Sequence, residues 1–312
     1  MEILEYDQVD SLQVLHLNLL SLRYPLTPER VALMRNLDRR PFPFFALYAI
    51  ERGTVAGQVG VFRLPVMTTE GPEDIGGVWA VSAHPDFSRR RVATKLMNEA
   101  HARMRAAGLR FSSLETSRHL GAHSLYQRLN YFDASTPAST SAYSKNVMRE
   151  TDLTVERVGT RFHVADGVFK QAAAGRLGFT RRPDGFMKTM VKTGELDEGQ
   201  LWLISRRQEV LGYAIANCSE GVLTVRDLVL KDAEPDVAVA ALLSALPAPY
   251  VHVLSHLPSH AASLQRAGYL VSRTSWGTFM LRPLTADNTV EDARRLMAIG
   301  TDRFMISPLD TT

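Results

Sequence analysis

Residues 76–97 read GGVWAVSAHPDFSRRRVATKLM, and residues 112–131 read SSLETSRHLGAHSLYQRLNY. The order predicted from them is strand, basic turn, helix, strand, helix. Val78–Ala83 is an apolar, partly β-branched run with one aromatic, ended by His84-Pro85-Asp86. Ser88-Arg89-Arg90-Arg91 leads into an amphipathic helix whose apolar positions include Val92, Leu96, Ala100 and Met104. A helix start presents unpaired backbone N–H groups and a partial positive charge, which suits phosphate. Three arginines there add charge where a polyanion would sit.

With these residues in view, the stretch resembles the acetyl-CoA-binding core of the GNAT N-acetyltransferase superfamily. That core has a strand, a turn of the form Arg/Gln-x-x-Gly-x-Gly/Ala, a helix, a strand and a helix carrying a tyrosine. Here the turn is Ser88-Arg89-Arg90-Arg91-Val92-Ala93, and the later signature falls on Ala122, Tyr126, Asn130 and Tyr131. The wording of residues 76–97 is similar to the enhanced-intracellular-survival type, a multi-domain member, and the resemblance is strong over residues ~40–132.

The resemblance implies acetyl-CoA as co-substrate, no metal, and N-acetyltransfer to a primary amine by direct attack. It implies that Ser88, Arg89, Arg90, Arg91, Val92, Ala93 and Thr94 hold the pyrophosphate. The backbone of Val81 and Ala83 would pair with the pantetheine arm, one N–H polarising the thioester carbonyl. His119 stands where the family often has an Asn that contacts the arm. Tyr126 takes the part of general acid to the departing thiolate, since a phenol with a pKa of ~10 stays protonated at neutral pH.

Two positions depart from the pattern. Ser88 replaces the first Arg or Gln, and Arg91 replaces the glycine that allows close backbone approach and a permissive φ. Either the Arg91 guanidinium supplements the phosphate site or its side chain obstructs it. Asn130 for the later glycine is milder, because Asn also tolerates a left-handed helix end. The base is open: the signature strand has no carboxylate. Candidates are Glu115 on the next strand, Glu73, Asp74, His84, His119, and the tail Asp302–Thr312, since the resembled enzymes bring a terminal carboxylate into the site.

The length of 312 residues suggests about two domains. A formal net charge of +3 with dispersed arginines makes no case for nucleic acid. The single cysteine, Cys218, excludes an intrachain disulfide and reads as a small buried or half-buried residue. The start, MEILEYDQVD, is too acidic for a signal peptide, and no apolar run reaches the ~18 residues of a membrane span. The expectation is a cytoplasmic protein with no membrane contact, its partner a small-molecule or peptide amine; a homo-oligomer is compatible with it.

The expected fold class is α/β (α+β): two tandem GNAT folds, each a mixed, mostly antiparallel sheet flanked by helices. Residues 1–144 would be the catalytic acetyl-CoA-binding domain and 145–312 a degenerate copy with a C-terminal tail. Strands are predicted at 2–6, 44–51 and 55–64, helices at 9–22 and 28–37, and a loop or domain junction at 135–144. The second half repeats this order: a hairpin at 201–205 and 209–216, strand 223–230, helix 235–246, strand 250–254, helix 261–267 and strand 278–284. Its chemistry is lost. Leu264 stands where the first half has Tyr126, and the turn Lys231–Asp236 is acidic, so it would repel pyrophosphate. The row His252, His256, His260 invites a metal reading, but Pro258 forbids a continuous helix and the strand spacing is too long for one ion. Alternative readings are a non-catalytic acyl-CoA-binding protein and a structural tandem that binds a peptide.

Overall fold

A long hairpin organises the first half. The computed structural model describes residues 1–311. β1 (Glu2–Glu5), α1 (Ser11–Leu22) and α2 (Pro28–Leu37) precede β2 (Pro41–Glu51), β3 (Thr54–Thr68) and β4 (Gly71–Ala83). Then come α3 (Val92–Ala106), β5 (Phe111–Ser117), α4 (Gly121–Arg128), β6 (Phe132–Ser135) and β7 (Ala138–Tyr143). The second half starts with α5 (Ser144–Val147), β8 (Leu153–Arg157), α6 (Phe162–Ala172), β9 (Leu177–Gly178) and α7 (Phe186–Lys192). It continues with β10 (Leu201–Arg206), β11 (Glu209–Ser219), β12 (Val222–Leu230), α8 (Pro235–Ala245) and β13 (Tyr250–Ser255). It ends with α9 (Pro258–Arg266), β14 (Leu270–Ser272), β15 (Gly277–Pro283), α10 (Val290–Met297) and β16 (Phe304–Met305).

The two sheets share one plan. The first runs β1-β2-β3-β4-β5-β15-β6, and the second, read from its outer edge, runs β8-β10-β11-β12-β13-β7-β14. In each, the only parallel neighbours on this path are β4 with β5 and β12 with β13. Neither sheet is built from one half alone: β15 sits between β5 and β6, and β7 sits between β13 and β14. The expected final strand at 278–284 therefore completes the first sheet.

The expected loop at 135–144 is corrected by β7. Its small polar residues read locally as a turn, but both edges of β7 are paired, Thr140 is buried and its hydroxyl donates to the Val253 carbonyl at 3.1 Å. Tertiary pairing overrides weak local preference. Cys218 is also corrected: it is exposed, because β11 runs out beyond the covered part of the sheet.

Helices close both faces of each sheet. On the first, α1, α2 and α10 cover one core with Leu17, Met34 and Leu296, while α3 and α4 cover the other with Leu96, Met104 and Tyr126. Glycines permit close approach inside the hairpin: a Cβ on Gly60 would meet the Trp79 ring at 2.0 Å. The tail then stitches the halves by alternation, Phe304 and Ile306 entering the first core and Met305 and Leu309 entering the second.

Candidate active site

Two backbone features open the first sheet. β4 pairs with β5 only at Gly76 with Ser112 and Gly77 with Ser113, and beyond Gly77 the two strands diverge. The β3–β4 register then shifts between Gln58–Ser82 and Gly60–Trp79, so β4 carries one extra residue, with Ala80 at φ +51°. Such a bulge bends a strand and re-aims its backbone. It falls at Ala80–Val81, with Ala83 just beyond, so Val81 and Ala83 line the mouth of the split.

Beyond β4 the expected helix start is present. α3 begins at Val92 with Arg91 as its N-cap, and the Lys95 N–H donates to the Arg91 carbonyl at 3.0 Å. The N–H groups of Val92, Ala93 and Thr94 are those a helix start leaves unpaired. Arg91 adopts φ +59°, and Arg89 adopts φ +61°. Position 91 thus demands the left-handed backbone that favours glycine, and arginine adopts it at a cost of about 1–2 kcal/mol. The Arg91 side chain is exposed and makes no capping bond, whereas Arg90 pairs with Glu51 at 3.3 Å.

Tyr126 projects from α4 into the α3 face of the sheet, packed edge-on to Tyr131 at 5.9 Å between ring centres. Burial pushes its phenol up to about 12, so it holds its proton at neutral pH. Tyr131 is fixed from below. The Arg282 guanidinium can only donate, so His101 Nδ1 accepts at 2.7 Å and Nε2–H donates to the Tyr131 hydroxyl at 2.8 Å. Ser112 Oγ meets the same hydroxyl at 2.6 Å. Burial first, then Arg282 and Arg105, drive His101 down to about 3, which keeps the ring neutral. Arg282 lies on β15, so the second half of the chain braces the platform behind Tyr126.

Glu115 lies on the opposite face. Leu114 joins the core that holds Tyr126 and Phe111 joins the other, so the strand's two-residue period sends Glu115 to the Phe111 side. There Thr311 donates to Glu115 Oε2 at 2.7 Å. Burial raises the Glu115 carboxyl above its ordinary range, partly offset by the Thr311 bond and the Arg226 charge. A cavity of about 420 Å³ opens on this face, walled by Tyr24, Phe62, Trp79, Ala80, Glu115 and Thr311.

The remaining candidates fall elsewhere. Glu73 is held by Arg110 at 2.9 Å, and Asp74 neighbours it, both near the far end of β4 from the bulge. His84 accepts from the Asp86 N–H at 3.2 Å and caps the turn after β4. His119 is exposed, bonds Ser117 Oγ at 2.6 Å and stands edge-on to Trp276 at 5.8 Å. Thr312 lies outside the described residues, but the tail does reach the site through Thr311. His252, His256 and His260 bond separate serines, Ser141, Ser135 and Ser255. Sequence reasoning missed Arg226, which lines the same cavity as Glu115; a charge inside the apolar run Val222–Leu230 was its signal.

The comparisons with known proteins bear on this geometry. Residues 12–131 match the model described as the Acetyltransferase (GNAT) family. The first half is a GNAT domain. A comparison with curated proteins gives no match. Among solved structures, the chain is similar to a probable N-acyltransferase from Enterococcus faecalis V583, at 14% identity and TM-score 0.70, over 91% of this chain and 72% of that one. It is similar to Eis1 from Mycobacterium abscessus, at 15% identity and TM-score 0.62, over 91% and 74%. It is also similar to a GCN5-related N-acetyltransferase from Kribbella flavida, at 18% identity and TM-score 0.59, over 94% and 72%. At these identities the likeness is one of fold, and it extends over both halves. The family match covers residues 12–131, and that family is one of acyltransferases. Among the described residues, no helix is long and apolar enough to cross a membrane.

Proposed function

We propose that the protein transfers acetyl from acetyl-CoA to a primary amine by direct attack. The observation that carries this reading is the split between β4 and β5, with a protonated phenol on one face and a carboxyl on the other. The pyrophosphate would lie on the N–H groups of Val92, Ala93 and Thr94, with Arg89 and Arg91 supplying charge. The pantetheine arm would follow the bulged edge of β4 past Ala83 and Val81. The acceptor enters from the Glu115 face and gives one proton of its ammonium to the Glu115 carboxylate. Its nitrogen attacks the carbonyl carbon, the C–S bond breaks, and Tyr126 protonates the leaving thiolate. The second amine proton leaves as the amide forms and re-protonates Tyr126 through solvent, so the net products are amide, free thiol and one proton.

Release of free thiol from acetyl-CoA in the presence of an amine panel tests the reading. Glu115→Gln should lower kcat by about a hundredfold or more. In the natural protein the rate should rise with pH, its midpoint above the ordinary carboxylate range, because the base works only when deprotonated and burial raises its pKa. Binding of acetyl-CoA without thiol release for any amine would instead favour a non-catalytic acyl-CoA-binding protein.

A further inference from the structure

The second sheet splits as the first does. β12 pairs with β13 only from Val222 to Val225, and the β11–β12 register shifts between Ile215–Asp227 and Ala216–Val225. The extra residue of that bulge is Arg226, so the bend of β12 carries a guanidinium where the bend of β4 carries Ala80 and Val81. Beyond it lies a cavity of about 430 Å³ with a mainly apolar lining that includes Leu228, Leu230, Leu254, Leu257, Ile306 and Trp276. This cavity and the one beside Trp79 share Glu115, Arg226 and Pro308, which form the ridge between them.

Arg226 is exposed and makes no hydrogen bond or ion pair among the described residues, although its charge acts on Glu115. Its neighbour Asp227 does not neutralise it, being turned to the Ser307 hydroxyl at 2.6 Å on the Arg182 side. A carboxyl and a guanidinium thus face one space without closing on each other. That arrangement complements a zwitterion: an ammonium to the carboxylate and a carboxylate to the guanidinium fork. It disfavours a polycation, whose second charge would meet Arg226. We infer that the acceptor is an α-amino acid with a large apolar side chain, its amine at Glu115, its carboxylate on Arg226 and its side chain in the second-half cavity. This rests on the acyl-transfer reading above and adds the acceptor class.

The test uses the full chain with acetyl-CoA and measures thiol release for L-phenylalanine and L-leucine, their decarboxylated counterparts 2-phenylethylamine and isoamylamine, and spermidine. The amino acids should exceed their counterparts by about tenfold or more in kcat/KM, since only they fill the guanidinium site. Arg226→Gln should shrink that ratio to about threefold or less, mainly through KM, and Arg226→Lys should restore part of it. Equal turnover of amino acid and amine, or a preference for spermidine, overturns the inference and leaves acyl transfer standing. Failure of every amine in the panel to release thiol overturns the transfer reading. Calorimetry of L-phenylalanine into the acetyl-CoA-loaded protein then decides the inference: binding that Arg226→Gln abolishes upholds it, and no binding ends it.

Discussion

The two halves share a sheet plan, a parallel pair that splits, and a bulge beside the split, yet they differ at nearly every side chain that matters for chemistry. In the first, α3 starts after exposed arginines with free N–H groups; in the second, α8 starts at Glu234-Pro235-Asp236. There Asp236 is paired with Arg149 and accepts from Ser263 at 2.9 Å, so an acidic, tied-down corner replaces an open cationic one. Tyr126 has Leu264 as its counterpart, fully buried. The tail reaches the second split, where Ser307 holds Asp227 and Arg182 grips Asp310 with contacts of 2.6 and 3.0 Å. A fold persists on apolar packing and strand pairing, whereas a site is lost with a few side chains.

The reciprocal placement of β7 and β15 sets the largest expected effect. Residues 1–144 made alone lack β15, with its paired edge on β5 and the Arg282 brace, and should fail to give a cooperative thermal transition. Coexpression with residues 145–312 should restore one. A folded, acetyl-CoA-binding fragment would show that the halves are independent after all.

Asp310→Ala should come next. It strands the Arg182 guanidinium, which is 5% exposed and lies over the Phe169 ring at 3.6 Å. Removing one partner of a buried pair costs about 3–5 kcal/mol, readable as a fall in denaturant midpoint. A loss under about 1 kcal/mol, the range of exposed pairs, would mean that water reaches the clamp.

Tyr126→Phe should lower turnover about ten- to a hundredfold while acetyl-CoA affinity stays nearly constant, because a proton donor is lost and little binding area with it. The counterpart change, Leu264→Tyr, should confer no activity on a Tyr126→Phe background. Unchanged turnover in Tyr126→Phe would assign thiolate protonation to water.

Arg91→Gly should have the smallest effect. The backbone is already left-handed, so glycine relieves strain and removes one exposed charge, and acetyl-CoA affinity should stay within about threefold. A large gain in calorimetric titration would mean that the side chain lies across the phosphate cradle, and would bring the two helix starts closer in function than their sequences suggest.

Local sequence determined the elements and half of the candidate site. The apolar period of Val92, Leu96, Ala100 and Met104, the punctuation at His84-Pro85 and the hairpin turn at Arg52-Gly53 each act through their own residues, so strand, helix and turn were legible. Tyr126 and the α3 start were legible because they belong to one contiguous supersecondary unit. What the tertiary structure alone decided is long-range. The strand at 277–283 pairs with β5 rather than with its own half, and a run of small polar residues became a strand paired on both edges because two edges awaited it. Strand alternation set Glu115 opposite Tyr126 and the tail delivered Thr311 to it, which is why it is the base we propose. Arg226 left only the trace of a charge within an apolar run, since its meaning lies in a bulge that exists only once β11 and β12 have paired.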